Sequence, residues 1–174
     1  MADTLVEFAR ALGRSAAHDM AVDLLRNVPG LPPLAQTVHL LSIAVVMGSI
    51  VLINLKVLGL AVPSQNTGEM IRRLMPWAVC ALPLLALSGL LFVLARPTRY
   101  FVNPVFGIKF ALLIPAIVLA VVFYRLSRRE TDYWDQPARR SSARAIAAVS
   151  LFLWIGVVLA GRWIAYADYL FPPE

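Results

Sequence analysis

Four long apolar runs dominate the alternation of hydrophobic and polar positions, at about residues 34–55, 74–95, 104–124 and 145–163. Each meets the length of roughly 17–25 residues that a helix needs to cross hydrocarbon. None alternates with period two, so spanning helices are predicted rather than barrel strands. The first two runs are uncharged, the third contains Lys109, and the fourth closes on Arg162. The expected fold is all-α, a polytopic membrane four-helix bundle occupying residues 31–174.

Prolines and small residues refine the pattern. Pro32-Pro33 and Pro104 stand at span entrances, where a missing N–H costs nothing. Pro76 is expected to open the second helix, whereas Pro83 and Pro115 fall inside theirs and should bend them. Ala44/Gly48, Gly107/Ala111 and Gly156/Ala160 are small pairs four apart, a spacing that permits close helix contact.

Residues 1–30 read as a separate element. Thr4 and Glu7 have the spacing of a capping box. Leu5, Phe8, Ala9, Leu12, Ala16, Met20 and Leu24 then recur every three or four positions. This predicts an N-terminal amphipathic surface helix, broken near Gly13, that lies on the membrane or caps the bundle. Seven charged residues from Asp3 to Arg26 interrupt it, so no cleavable signal is expected.

Composition supports a membrane location. Of 174 residues 60% are hydrophobic and only 15% charged, against roughly 25% charged in soluble domains; mean hydropathy is +0.74. A soluble chain of this size could not bury so much apolar surface. The net charge of +6 comes from residues set between apolar runs, with no basic stripe carrying interleaved aromatics, so nucleic acid is not an expected partner. Cys80 is the single cysteine, which excludes an intramolecular disulfide.

The distribution of the 16 Lys and Arg sets the orientation. Lys56, Arg72 and Arg73 share one face with Arg125, Arg128, Arg129, Arg139, Arg140 and Arg144, which make up the larger share. By the positive-inside rule that face is cytoplasmic. Both termini are then outside, and the expected location is a bacterial inner membrane.

Candidate chemistry gathers toward the outer face. Gln36, His39, Met47 and Asn54 fall in one sector of the first helix at 100° per residue. Polar groups in hydrocarbon need partners, so this sector should face the bundle interior. Arg99, Tyr100 and Asn103 occupy the short outer loop, Lys109 is shallow in the third helix, and Arg162 and Tyr166 end the fourth. Asp168 is the nearest obvious carboxylate. Cations in this setting either snorkel to lipid phosphates or hold an anionic ligand. His39 is the candidate metal or haem ligand. It is also the only transmembrane histidine, so a haem b would use one imidazole, a His/Met pair or a site shared between protomers. Copper(I) would pair His39 with sulfur from Met47, Met70, Met75 or Cys80. Hydrolytic, zinc-protease and phosphate-loop motifs are absent, and no Asp or Glu lies in a span, which argues against a carboxylate proton relay.

The stretches VHLLSIAVVMGSIVLINLKVLGL, MPWAVCALPLLALSGLLFVLARPTRYFVNPVFGIKFALL and AGRWIAY resemble a domain-of-unknown-function family of small four-helix bacterial membrane proteins. His39, Gly48, Asn54, Pro76-Trp77, Gly89, Tyr100, Asn103-Pro104, Lys109 and Gly161-Arg162 carry the likeness, over about residues 30–167. More distantly, the histidine and Gly48 of the first span look like copper-resistance D-type proteins and cytochrome b-like bundles, although the paired span histidines of the latter are missing. These features lead to an expected integral membrane protein that binds a haem, quinone or lipid-like ligand near its outer face, as a redox accessory. The alternatives are a scaffold or accessory subunit of a membrane complex and a copper-handling protein. Membrane lipid, a second copy or a larger complex are the expected partners.

Overall fold

In a computed structural model that describes residues 2–130 and 133–166, the described chain is helical and contains no strand. Two short helices, α1 (Ala2–Leu12) and α2 (Ala16–Asn27), precede α3 (Leu31–Leu58) and α4 (Thr67–Ala95). A five-residue helix α5 (Pro97–Phe101) leads into α6 (Pro104–Arg129), and α7 (Arg140–Trp163) completes the set. The helices α3, α4, α6 and α7 are long and apolar enough to cross a membrane. They pack as α3 on α4, α4 on α6, α6 on α7 and α7 on α3, a closed ring.

The interior is apolar and small-to-large in its fit: Val46, Ile50, Ile71, Ala116, Phe123, Ala147 and Trp154 are buried. The outward surface is apolar as well, with Leu41, Leu87, Ile114 and Phe152 all exposed. Helices that are hydrophobic all round require a hydrocarbon surround. The chain is a multi-pass membrane protein of four spans, as its sequence leads one to expect.

Each span extends beyond its apolar run because cationic and polar flanks continue the helix outside hydrocarbon. α4 starts at Thr67, well before Leu74, since Asn66 caps it by accepting from Gly68 N at 2.8 Å. Pro76 therefore lies inside α4 with Pro83 rather than opening it. Of the three small pairs, only Gly156 makes a close approach, where an added Cβ would stand 3.0 Å from Leu112 Cδ1. Gly48 and Gly107 face open space.

The two ends of the bundle differ. At one, the loops 59–66 and 130–139 interlock. Asp135 accepts from Thr67 N at 3.0 Å and from Thr67 Oγ1 at 2.5 Å, so one loop caps the helix that follows the other. Gly59 ends α3 at φ +81, a left-handed conformation that suits glycine. Buried Trp134 lies tilted against Phe123 at 4.3 Å and donates to Ser127 Oγ at 2.9 Å.

The other end carries α1, α2 and α5. The amphipathic segment is two helices with its break at Gly13–Ser15, as its periodicity predicts. Ser15 caps α2 by accepting from His18 N at 3.3 Å. Because α1 already begins at Ala2, Thr4 lies within the helix and forms no cap. Phe8 meets Phe101 edge-on at 5.2 Å, and His18 Nδ1 meets the Leu94 carbonyl at 2.8 Å. These contacts fasten the segment to α4 and α5 as a cap on the bundle.

Candidate functional site

All four spans place a residue of interest near the α5 end, in two close pairs: His39 of α3 with Ser88 of α4, and Lys109 of α6 with Gly161 of α7. His39 sits eight residues into α3, about 12 Å from its start at 1.5 Å per residue. Its ring leans on α4, with Nδ1 2.9 Å from Ser88 Oγ. The Ser88 hydroxyl lies 2.6 Å from the Leu84 carbonyl one turn back, which takes its proton. Ser88 therefore accepts from Nδ1–H, which leaves Nε2 as the ring's acceptor nitrogen. The next residue, Gly89, makes the approach possible: a Cβ there would be 3.3 Å from His39 Cε1.

Lys109 enters from α6. Its chain crosses toward α7, where a Cβ on Gly161 would stand 3.8 Å from both Cε and Nζ. Lys109 is half-buried, and among the described residues no hydrogen bond or ion pair engages its ammonium. The one ion pair among them, Arg139 with Glu130 at 3.7 Å, lies at the opposite end of the bundle. A cation that merely snorkels extends to the head-group layer. Lys109 instead lies against Gly161 of α7, half-buried and with no carboxylate beside it among the described residues.

The other candidate residues separate into three groups. Gln36 is exposed. Met47 packs on the mid-bundle core. Asn54 is 1% exposed and donates to Ser150 Oγ at 3.3 Å. It lies fifteen residues beyond His39, about 22 Å along the helix. Sharing a sector of α3 therefore does not bring these four together. Asn54 Oδ1 and Trp154 Nε1 are buried without hydrogen-bond partners.

The third group shapes the α5 end. Asn103 caps α6, accepting from Val105 N at 2.9 Å, and its amide donates to the Ile164 carbonyl at 3.1 Å, tying α6 to the end of α7. Tyr100 packs edge-on against Phe106 at 5.6 Å. Arg99 is exposed. Arg162 is exposed too; it donates to Tyr166 Oη at 3.1 Å and lies 5.2 Å above that ring. Asp168 is outside the described residues. Ser88, Gly89 and Gly161 complete the two pairs, and the serine was not among the residues singled out from sequence. Its signal, a hydroxyl in an apolar run, gains meaning only once α4 is known to face His39.

Metal and haem chemistry can be tested against this donor set. No group of three His, Cys, Asp or Glu that could hold a metal occurs among the described residues. Cys80 is exposed on the outer surface of α4, while Met70 and Met75 are buried toward the Trp134 end. A bis-histidine haem would require His18, which lies outside the four spans on the short helix α2. His39 itself lies flush against Gly89, with no second imidazole on a facing span to pair with it across a haem. The residues present do not fit a haem b.

Comparison with known proteins adds one finding. The model of a family of unknown function, DUF6644, matches residues 31–167. No curated protein and no solved structure matches the chain.

Proposed function

We propose, from the premise that this chain belongs to the DUF6644 family, that it is an inner-membrane protein binding a lipid-like amphiphile through an anionic head group near its outer face. One observation carries this reading: the half-buried Lys109 ammonium, which lies against Gly161 of α7 and has no carboxylate partner among the described residues. Lys109 supplies the charge, and His39, oriented by Ser88, adds a hydrogen bond through Nε2. Exposed Arg162 stands at the same end as an approach site for anions.

The membrane orientation supports the assignment to the outer leaflet. The end bearing Lys56, Arg72, Arg73 and the basic 125–144 segment is cytoplasmic by the positive-inside rule. The α5 end and both termini are then outside. A reporter fused after Glu174 should be active on the external side only; cytoplasmic activity would invert the orientation and move the site to the inner leaflet.

Head-group binding is tested with the full chain in mild detergent. Lys109→Gln and His39→Ala should each weaken retention of co-purified anionic lipid about tenfold, the size of one lost charge-assisted bond. Phosphate and quinone are both quantified in the extract. Retention unchanged in both variants, or a quinone in place of phosphate, counts against the proposal.

A further inference from the structure

Lys109 and Gly161 are flanked by an apolar groove that points to the kind of molecule bound there. A groove of ≈ 400 Å³ runs along the outward side of α6 and α7, lined by Ile108, Leu112, Gly156, Leu159, Ala160 and Trp163 among others. Ile108, Leu159 and Trp163 are each about half exposed, so the groove opens sideways into the surround of the spans. Its deep end is closed where Leu112 lies over Gly156, with 3.0 Å between Leu112 Cδ1 and an added Cβ. From Trp163 to Gly156 the helix advances seven residues, about 10 Å. The wall between groove and ammonium is a single turn: Ala160 lines the groove while the neighbouring Gly161 meets Lys109.

We infer that this groove holds the acyl chain of the anionic lipid whose head group Lys109 and His39 engage, so the ligand enters laterally from the outer leaflet. The inference rests on the head-group reading above. Three observations select the occupant. The lining is apolar, which suits a hydrocarbon chain. The groove opens sideways between spans, where lipid is the neighbour. Lys109 lies on the same stretch of α6 as Ile108 and Leu112, and its unbalanced charge complements a phosphate. A water-soluble anion would use the cation but gain nothing from the groove.

Filling the groove separates chain from head group. Ile108→Trp adds bulk from a half-exposed position that the packed interior does not depend on; Leu159→Trp does so from the facing wall. Binding of dioleoyl and dihexanoyl phosphatidic acid to the full chain in detergent is followed by native mass spectrometry. Both tryptophan variants should weaken the dioleoyl lipid about tenfold, equivalent to displacing a few methylenes, and leave the dihexanoyl lipid unaffected. Lys109→Gln should weaken both lipids alike. Unchanged dioleoyl binding in both tryptophan variants, or an equal loss for long and short chains, would overturn the groove assignment while leaving the head-group reading intact. If Lys109→Gln alters neither lipid, it is the head-group reading that fails.

Discussion

Replacing Trp134 by alanine should destabilise the protein by about 3–5 kcal/mol, the range for emptying a core position of a large aromatic side chain. For a chain of this length that corresponds to a fall in thermal midpoint of roughly 6–20 °C. The reason lies in where the indole sits. Trp134 is 5% exposed and comes from a loop, yet it is buried with Ile71, Phe123, Ala143 and Ala147 from three different spans. It lies tilted against Phe123 at 4.3 Å and meets Tyr133 edge-on at 5.0 Å. Its Nε1 donates to the hydroxyl of Ser127, itself fully buried. Alanine removes the packing and the hydrogen bond together. Trp134→Phe keeps most of the packing and should cost only about 1 kcal/mol, the net worth of one hydrogen bond. A thermal melt in detergent with both variants near wild type would show that the loop does not close the bundle.

The spans were legible in the sequence because hydrophobic length is a local property. Each apolar run falls inside its helix, and the shortfall at the ends has one cause. Residues such as Lys56, Arg72, Arg128 and Arg144 interrupt apolarity without interrupting helix, since they lie where the helix leaves hydrocarbon. The start of α4 was hidden for a further reason: Asp135, distant in sequence, supports it. The break in the N-terminal segment was likewise readable at Gly13, whereas its docking through Phe8 and His18 depends on where α4 and α5 end.

The candidate site was legible in part. His39 and Lys109 stood out as polar groups in apolar runs, and each lies against a glycine of a facing helix, Gly89 and Gly161. Asn54 and Met47 share the sector of His39, but a helical wheel discards depth, and depth separates them. Arg99, Tyr100 and Asn103 lie together in the sequence; Asn103 hydrogen-bonds the Ile164 carbonyl, Tyr100 packs on Phe106, and Arg99 is exposed. Which glycine faces which polar side chain is a tertiary fact. Gly89 and Gly161 acquire their roles from the helices opposite them.

That pairing yields the second large effect. Gly89→Val should cost about 1–3 kcal/mol, the usual range for overpacking, and weaken head-group binding about tenfold, as His39→Ala does. An added Cβ already stands 3.3 Å from His39 Cε1 and 3.8 Å from Nδ1, so the two methyl groups of valine must push the ring off α4. The ring then loses Ser88, and with it the hydrogen bond that fixes its orientation. Gly89→Ala adds the Cβ alone and should be mild, because a ring shift of a few tenths of an ångström accommodates it. The double variant His39→Ala/Gly89→Val identifies the cause. With the imidazole gone, valine enters vacated space, and its cost should shrink by a coupling energy of about 0.5–3 kcal/mol. A cost for Gly89→Val that is the same with and without His39 would mean that the glycine serves something other than the histidine. The orientation of His39 by α4, on which the ligand site depends, would then have to be abandoned.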